Sequence, residues 1–124
     1  MLAKAFLAHL DQTKGQVERV EGAFADTGKK AKAKKCEAMA GLIEEAGEMM
    51  EVEADPEVMD AVLSGLAQKV EHYQTATYGT LCTWAETLGY KKAKTALGAN
   101  LDEEEATDKK LTELSRKIDR KASA

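Results

Sequence analysis

Carboxylates stand where amphipathic helices would otherwise carry apolar side chains. Between Lys91 and about Lys117 the apolar stripe runs Leu97, Leu101, Glu104, Asp108, Leu111, Leu114 and Ile118. Glu104 and Asp108 thus interrupt the seam one turn apart, and Glu105 shares the face of Asp108 through the i, i+3 relation. Between Pro56 and Leu88, Glu71 falls on the stripe Ala67, Gln74, Tyr78, Leu81 and Ala85. An unpaired carboxylate in a core is costly, so a cation, shared protons or strong hydrogen bonds must compensate it. Carboxylate oxygens bridging two cations in a four-helix core are the known use of such a pattern. One Glu comes from each of two helices and a Glu-x-x-His pair from each of the others. Here Glu71 is the candidate single carboxylate and Glu105-x-x-Asp108 the candidate pair, with Asp in place of His. The bland alternative is a solvated acidic turn at Glu103, Glu104 and Glu105, with Asp108 and Glu71 paired to lysines.

Other chemistry is poorly represented. No serine occupies a glycine-flanked elbow, neither cysteine has a histidine nearby, and there is no glycine-rich phosphate loop. Cys36 and Cys82 match no C-x-x-C spacing and are expected as buried reduced thiols. His9 and His72 are lone histidines, a type more often hydrogen-bonded than metal-bound. A net charge of −4 argues against nucleic acid as a partner, and the lysine-rich run Lys29 to Lys35 reads as a solvated connector. No apolar run approaches the roughly 18 residues of a membrane span, and Met1 to Ala8 is too short for a signal-peptide core. The expected compartment is the cytoplasm, with no membrane partner.

The elements that must hold these carboxylates are helices. The 124 residues suit one domain, 1–124, and 44% apolar content supplies one core. Aromatic residues make up 5%, while Ala, Lys, Glu and Leu dominate, which favours helix over sheet. A first segment, about Leu2 to Ala25, carries Phe6, Leu10, Thr13, Val17, Val20 and Phe24 at steps of four and three. A shorter one spans Cys36 to Glu51. Asp55-Pro56 opens the third, which carries a second stripe through Leu63, Leu66, Val70, Tyr73, Thr77, Leu81, Trp84 and Leu88; Gly89 ends it. The polar stretch Ser115 to Ala124 is expected to fray. Fold class is therefore all-α: a helical bundle of long antiparallel helices. Glu71 lies 18 residues before Gly89, and Glu105 to Asp108 lie 16 to 19 after it, so the hairpin sets them at one level. That level is about 27 Å from the turn.

Several stretches resemble the YciE/YciF family of bacterial ferritin-like stress proteins: Lys35 to Ala46, Gln68 to Tyr73, Ala76 to Leu81, Ala85 to Tyr90, and Leu101 to Leu111. The resemblance runs from about Ala5 to Leu114. It implies a ferritin-like bundle with a carboxylate-rich dinuclear iron or manganese site, a stress-response role without a defined activity, and a homodimer or higher homo-oligomer. Weak iron oxidation by oxygen or peroxide is the enzymatic expectation it raises. Metal ligands are then expected at Glu71, Glu104, Glu105 and Asp108, with Asp11 and His9 closing the fourth side. Two departures stand out. The family's first long helix has no counterpart here, and the chain reads Asp11-Gln12-Thr13-Lys14 and Gln74 where the family can carry Glu-x-x-His and Glu. The alternative expectation is a metal-free structural or interaction module that keeps the scaffold. Without the first helix the apolar stripes of segments one, three and four are left open, so either segment two folds in or a second copy covers them.

Overall fold

A computed structural model describes residues 1–124, which form four helices and no strands: α1 (Leu2–Asp26), α2 (Glu37–Met50), α3 (Pro56–Leu88) and α4 (Lys91–Ala122). The all-α bundle expected from composition and periodicity is what the chain adopts. No helix is long and apolar enough to cross a membrane.

The helix ends follow the local chemistry. Asp55 precedes α3, Pro56 opens it, and the Met59 amide donates to the Asp55 carbonyl at 2.9 Å. Gly89 closes α3 at φ +80°, a left-handed conformation that leaves its amide free to donate to the Ala85 and Glu86 carbonyls. Cys36 caps α2: its Sγ accepts from the Met39 amide at 3.4 Å. This thiol is exposed rather than buried, because the cap position lies at the surface; Cys82 is half-buried, and both are free. Residues 29–36 form no regular structure, in keeping with the lysine-rich connector.

α4 is the central element. α3 runs antiparallel along it, α1 lies antiparallel on its other side, and α2 packs only on α3. Each inner seam is a line of residues seven apart: Leu2, His9, Gln16 and Ala23 on α1; Ser64, Glu71, Tyr78 and Ala85 on α3; Leu97, Glu104, Leu111 and Ile118 on α4. The seams are apolar at both ends and polar in the middle. Leu2, Leu111 and Ile118 form one end, with Phe6, Leu63 and Ala67 against them. Ala23, Ala85, Ala93 and Leu97 form the other. The burial of Ile118 carries α4 as a helix through the polar residues after Ser115.

The heptad period of α1 is as expected, but its register differs. Leu10 and Val17, assigned to the core stripe, are 49% and 54% exposed, and Phe24 is also exposed. The reason is that the true inner line carries His9 and Gln16, so the apolar residues mark the outer flank. On α3 the stripe bearing Glu71 is the buried one, whereas Trp84 and Leu88 of the other stripe are exposed. α2 buries no residue completely. It does not reach the groove along α1 and α3, which the connector residues Lys29 and Ala31 to Ala33 line instead.

Candidate metal site

Halfway along the bundle the three seams bring a histidine and two carboxylates together. His9 comes from α1, Glu71 from α3 and Glu104 from α4. One ligand atom from each lies within 4.8 Å of the others. His9 Nε2 is 2.8 Å from Glu71 Oε1. Gln16, two turns along α1 from His9, donates its Nε2 to Glu104 Oε1 at 2.5 Å. Glu71 is 2% exposed and Glu104 fully enclosed.

A polar ladder supports this arrangement from one side. Asn100 Nδ2 donates to the Gln16 carbonyl at 3.3 Å, and Arg19 Nη1 donates to Asn100 Oδ1 at 3.1 Å while pairing with Glu103. The ladder fixes Gln16, and Gln16 fixes Glu104.

Two carboxylates so enclosed cannot both be comfortably ionised. Burial, reinforced by hydrogen bonding with Glu71, pushes the Glu104 carboxyl up to about 7, although Gln16 and His9 pull it the other way. His9 is raised, because its bond to Glu71 outweighs the cost of burying its charge.

The cluster is also underfilled with partners. Five buried side-chain atoms of the chain lack a hydrogen bond: His9 Nδ1, Gln16 Oε1, Glu71 Oε2, Thr75 Oγ1 and Glu104 Oε2. All belong to this cluster or to the next turn of α3. Native interiors rarely leave such groups unpaired, and each of the five can present a lone pair. Cavities of about 280 and 480 Å³ flank the cluster, one touching His9 and Glu71, the other Gln16, Gln74 and Tyr78.

Of the six residues expected as ligands, His9, Glu71 and Glu104 converge; Glu105, Asp108 and Asp11 do not join them. Glu105 is one residue beyond Glu104, about 100° around the helix, and is exposed. Asp11 is likewise turned to solvent, two residues from His9. Asp108, half-buried, belongs to a separate group at the surface: it lies 3.1 Å from Nε2 of the exposed His72 and accepts from Gln68 Nε2 at 3.3 Å. The pairings considered for Glu71 and Asp108 are made to histidines, not lysines. Lys14 is exposed and clear of the cluster. Gln16, Thr75 and Asn100 escaped the sequence reading. The signal that points to Gln16 is its place seven residues after His9.

The whole chain, residues 1–124, matches the family described as "Domain of unknown function (DUF892)". It is 53% identical to Protein YciF of Escherichia coli (strain K12) over 115 residues, 92% of this chain and 69% of that protein. The crystal structure of the E. coli stress protein YciF superposes with a TM-score of 0.92 at 51% identity, covering 97% of this chain and 76% of that one. YcfI, a putative structural protein from Rhodopseudomonas palustris, superposes with a TM-score of 0.85 at 43% identity, covering 90% and 71%.

Proposed function

This chain belongs to the DUF892 family, and on that premise we propose that it is a ferritin-like metal-binding protein of the bacterial stress-response kind. His9, Glu71 and Glu104 would hold a divalent iron or manganese cation. One observation carries this reading: four of the chain's five unpartnered buried side-chain atoms belong to these three residues and to Gln16, which bonds Glu104. Imidazole nitrogen and carboxylate oxygen are a donor set that suits such cations.

The set fits one cation better than two. Dinuclear carboxylate sites draw on four carboxylates and two histidines, and here two carboxylates and one histidine converge. Iron or manganese, when bound, supplies one-electron exchange with oxygen or peroxide. The chain's own contribution is to neutralise the cation with Glu71 and Glu104, to orient Glu104 through Gln16, and to release the Glu104 proton as the ion enters. The same reading takes the protein to work in the cytoplasm as a homodimer or higher homo-oligomer.

A metal-free scaffold is the second reading. The Gln16 to Glu104 bond and the raised Glu104 carboxyl favour it, since a shared proton can also hold the carboxylates together. Thermal melting separates the two. Manganese(II) added to metal-free protein should raise the melting temperature, and Glu71→Ala or Glu104→Ala should abolish the rise. Melting that ignores the cation would support the scaffold reading instead.

A further inference from the structure

We propose that the outer flank of α2 is a docking surface for a cationic amphipathic helix of another protein. The proposal does not depend on the metal reading.

α2 is the least anchored of the four helices: it packs only on α3 and buries no residue completely. Met39, Leu42, Ala46 and Met49, at steps of three, four and three, are half-buried and form the side laid against α3. The apolar arc of α2 is wider than that side. Ile43 and Met50, seven residues apart on the neighbouring flank, are 62% and 58% exposed, and Val52 beyond the helix end is 51% exposed. Together these three leave on the order of 300 Å² of apolar area in water, the size of a functional patch. Gly47 stands between Ile43 and Met50 with open space around it, so the strip is notched at its middle. Ile43 and Met50 are about 10 Å apart along the axis, and a helix laid beside α2 presents apolar residues at the same seven-residue period.

Charge names the partner. Between Cys36 and Gln68 the chain carries nine carboxylates and no Lys, Arg or His; of the net −4, this stretch holds −9 and the remainder +5. Among the nine, only Glu37 and Glu45 make ion pairs, with Lys35 and Lys69. Glu44, Glu48 and Glu51 border the strip, exposed and unpaired. Glu44 and Glu48 repel each other at the i, i+4 spacing. Glu48 and Glu51 stand at the C-terminal end of α2, where the helix dipole is negative, and its last turn has no basic residue. This surface is thus arranged against the stability of the free helix. Lysine or arginine side chains that flank the apolar residues of a docked helix relieve both repulsions.

A second copy does not offer such a helix. Its lysine-rich connector has only Ala31 and Ala33 between the lysines. Ile118, in the basic end of α4, is 3% exposed and packed inside its own bundle.

Fluorescence anisotropy on the full chain tests the proposal, with a dye-labelled peptide of leucine and lysine, about 14 residues long and patterned as an amphipathic helix. The peptide should bind one to one, and about tenfold more weakly when salt rises from about 0.05 to about 0.5 M. Ile43→Ser with Met50→Ser should weaken binding at least about tenfold, with helicity retained. Glu44→Gln, Glu48→Gln and Glu51→Gln together should weaken it as much, flatten the salt dependence and raise the melting temperature of the free protein. Glu18→Gln, Asp102→Asn and Glu113→Gln, exposed on α1 and α4, should together leave the affinity unchanged. Three results overturn the proposal: no binding by the wild-type chain, equal binding of a shuffled peptide that has the same residues but no apolar face, or equal binding by the Ile43→Ser, Met50→Ser protein. A doubled mass in light scattering that is lost in this double variant would assign the strip to a second copy, and it too overturns the proposal.

Discussion

Glu104 is the residue on which the chemistry of the interior turns. Its carboxyl titrates at about 7 in the folded chain against an ordinary value of 4.5, so between those limits the folded state holds a proton that the unfolded state has released. Stability must then fall as pH rises through that window. His9 acts in the same direction: its folded value is raised above 6.5, so the stabilisation from its bond to Glu71 is full below 6.5 and fades as pH climbs past the folded value. Metal-free protein should melt about 5 °C lower at pH 8 than at pH 5.5, and Glu104→Gln should flatten most of that slope and raise the melting point at pH 8. A melting curve series from pH 5 to 8 checks this; a profile that rises with pH would contradict it. Manganese(II) should show the opposite trend and bind more tightly as pH passes 7, since the ion displaces the Glu104 proton. Glu71 and Glu104 were legible in the sequence because each breaks an apolar stripe. Glu105 and Asp11 show the limit of that logic: spacing assigns a side chain to a turn, but a step of one residue moves it about 100° around the helix. His9 was visible only as a lone histidine until the fold supplied Glu71 as its partner.

At the scale of the elements, punctuation was the most legible feature. Asp55-Pro56 and Gly89 bound α3 as their backbone chemistry requires, whereas counting from the turn sets Glu71 level with Glu105 to Asp108, and the fold instead brings it to Glu104, 15 residues past Gly89. Gly89 has open space around it, so Gly89→Ala costs only the left-handed backbone strain. Chemical denaturation should register a loss of about 1 kcal/mol. Leu111 is 3% exposed in the layer below the polar cluster, and Leu111→Ala should cost about 2–4 kcal/mol in the same assay. Equal losses at the two positions would mean that this end of the bundle is less tightly packed than its burial indicates. The register of α1 was the illegible part. Hydrophobic counting finds the more apolar flank of a helix, and in α1 that flank is the outer one because the inner seam carries His9 and Gln16.

At the scale of the molecule, the chain is a thin bundle: only twelve residues are fully buried, five of them polar. Its apolar ends clamp α1, α3 and α4 around a polar middle, while the remaining apolar surface flanks the groove. Fold class and family were readable from sequence because helical periodicity and the ordered stretches around Cys36, Glu71, Gly89 and Glu104 extend over most of the chain. Which polar residues share the interior depends on three helices meeting, and no single segment carries that information. The most direct test of the central claim is an anomalous-scattering map from a crystal soaked in manganese(II). A peak is expected among His9, Glu71 and Glu104, and it should disappear in the Glu71→Ala, Glu104→Ala double variant. A map without that peak, or with manganese only at His72 and Asp108, would contradict it.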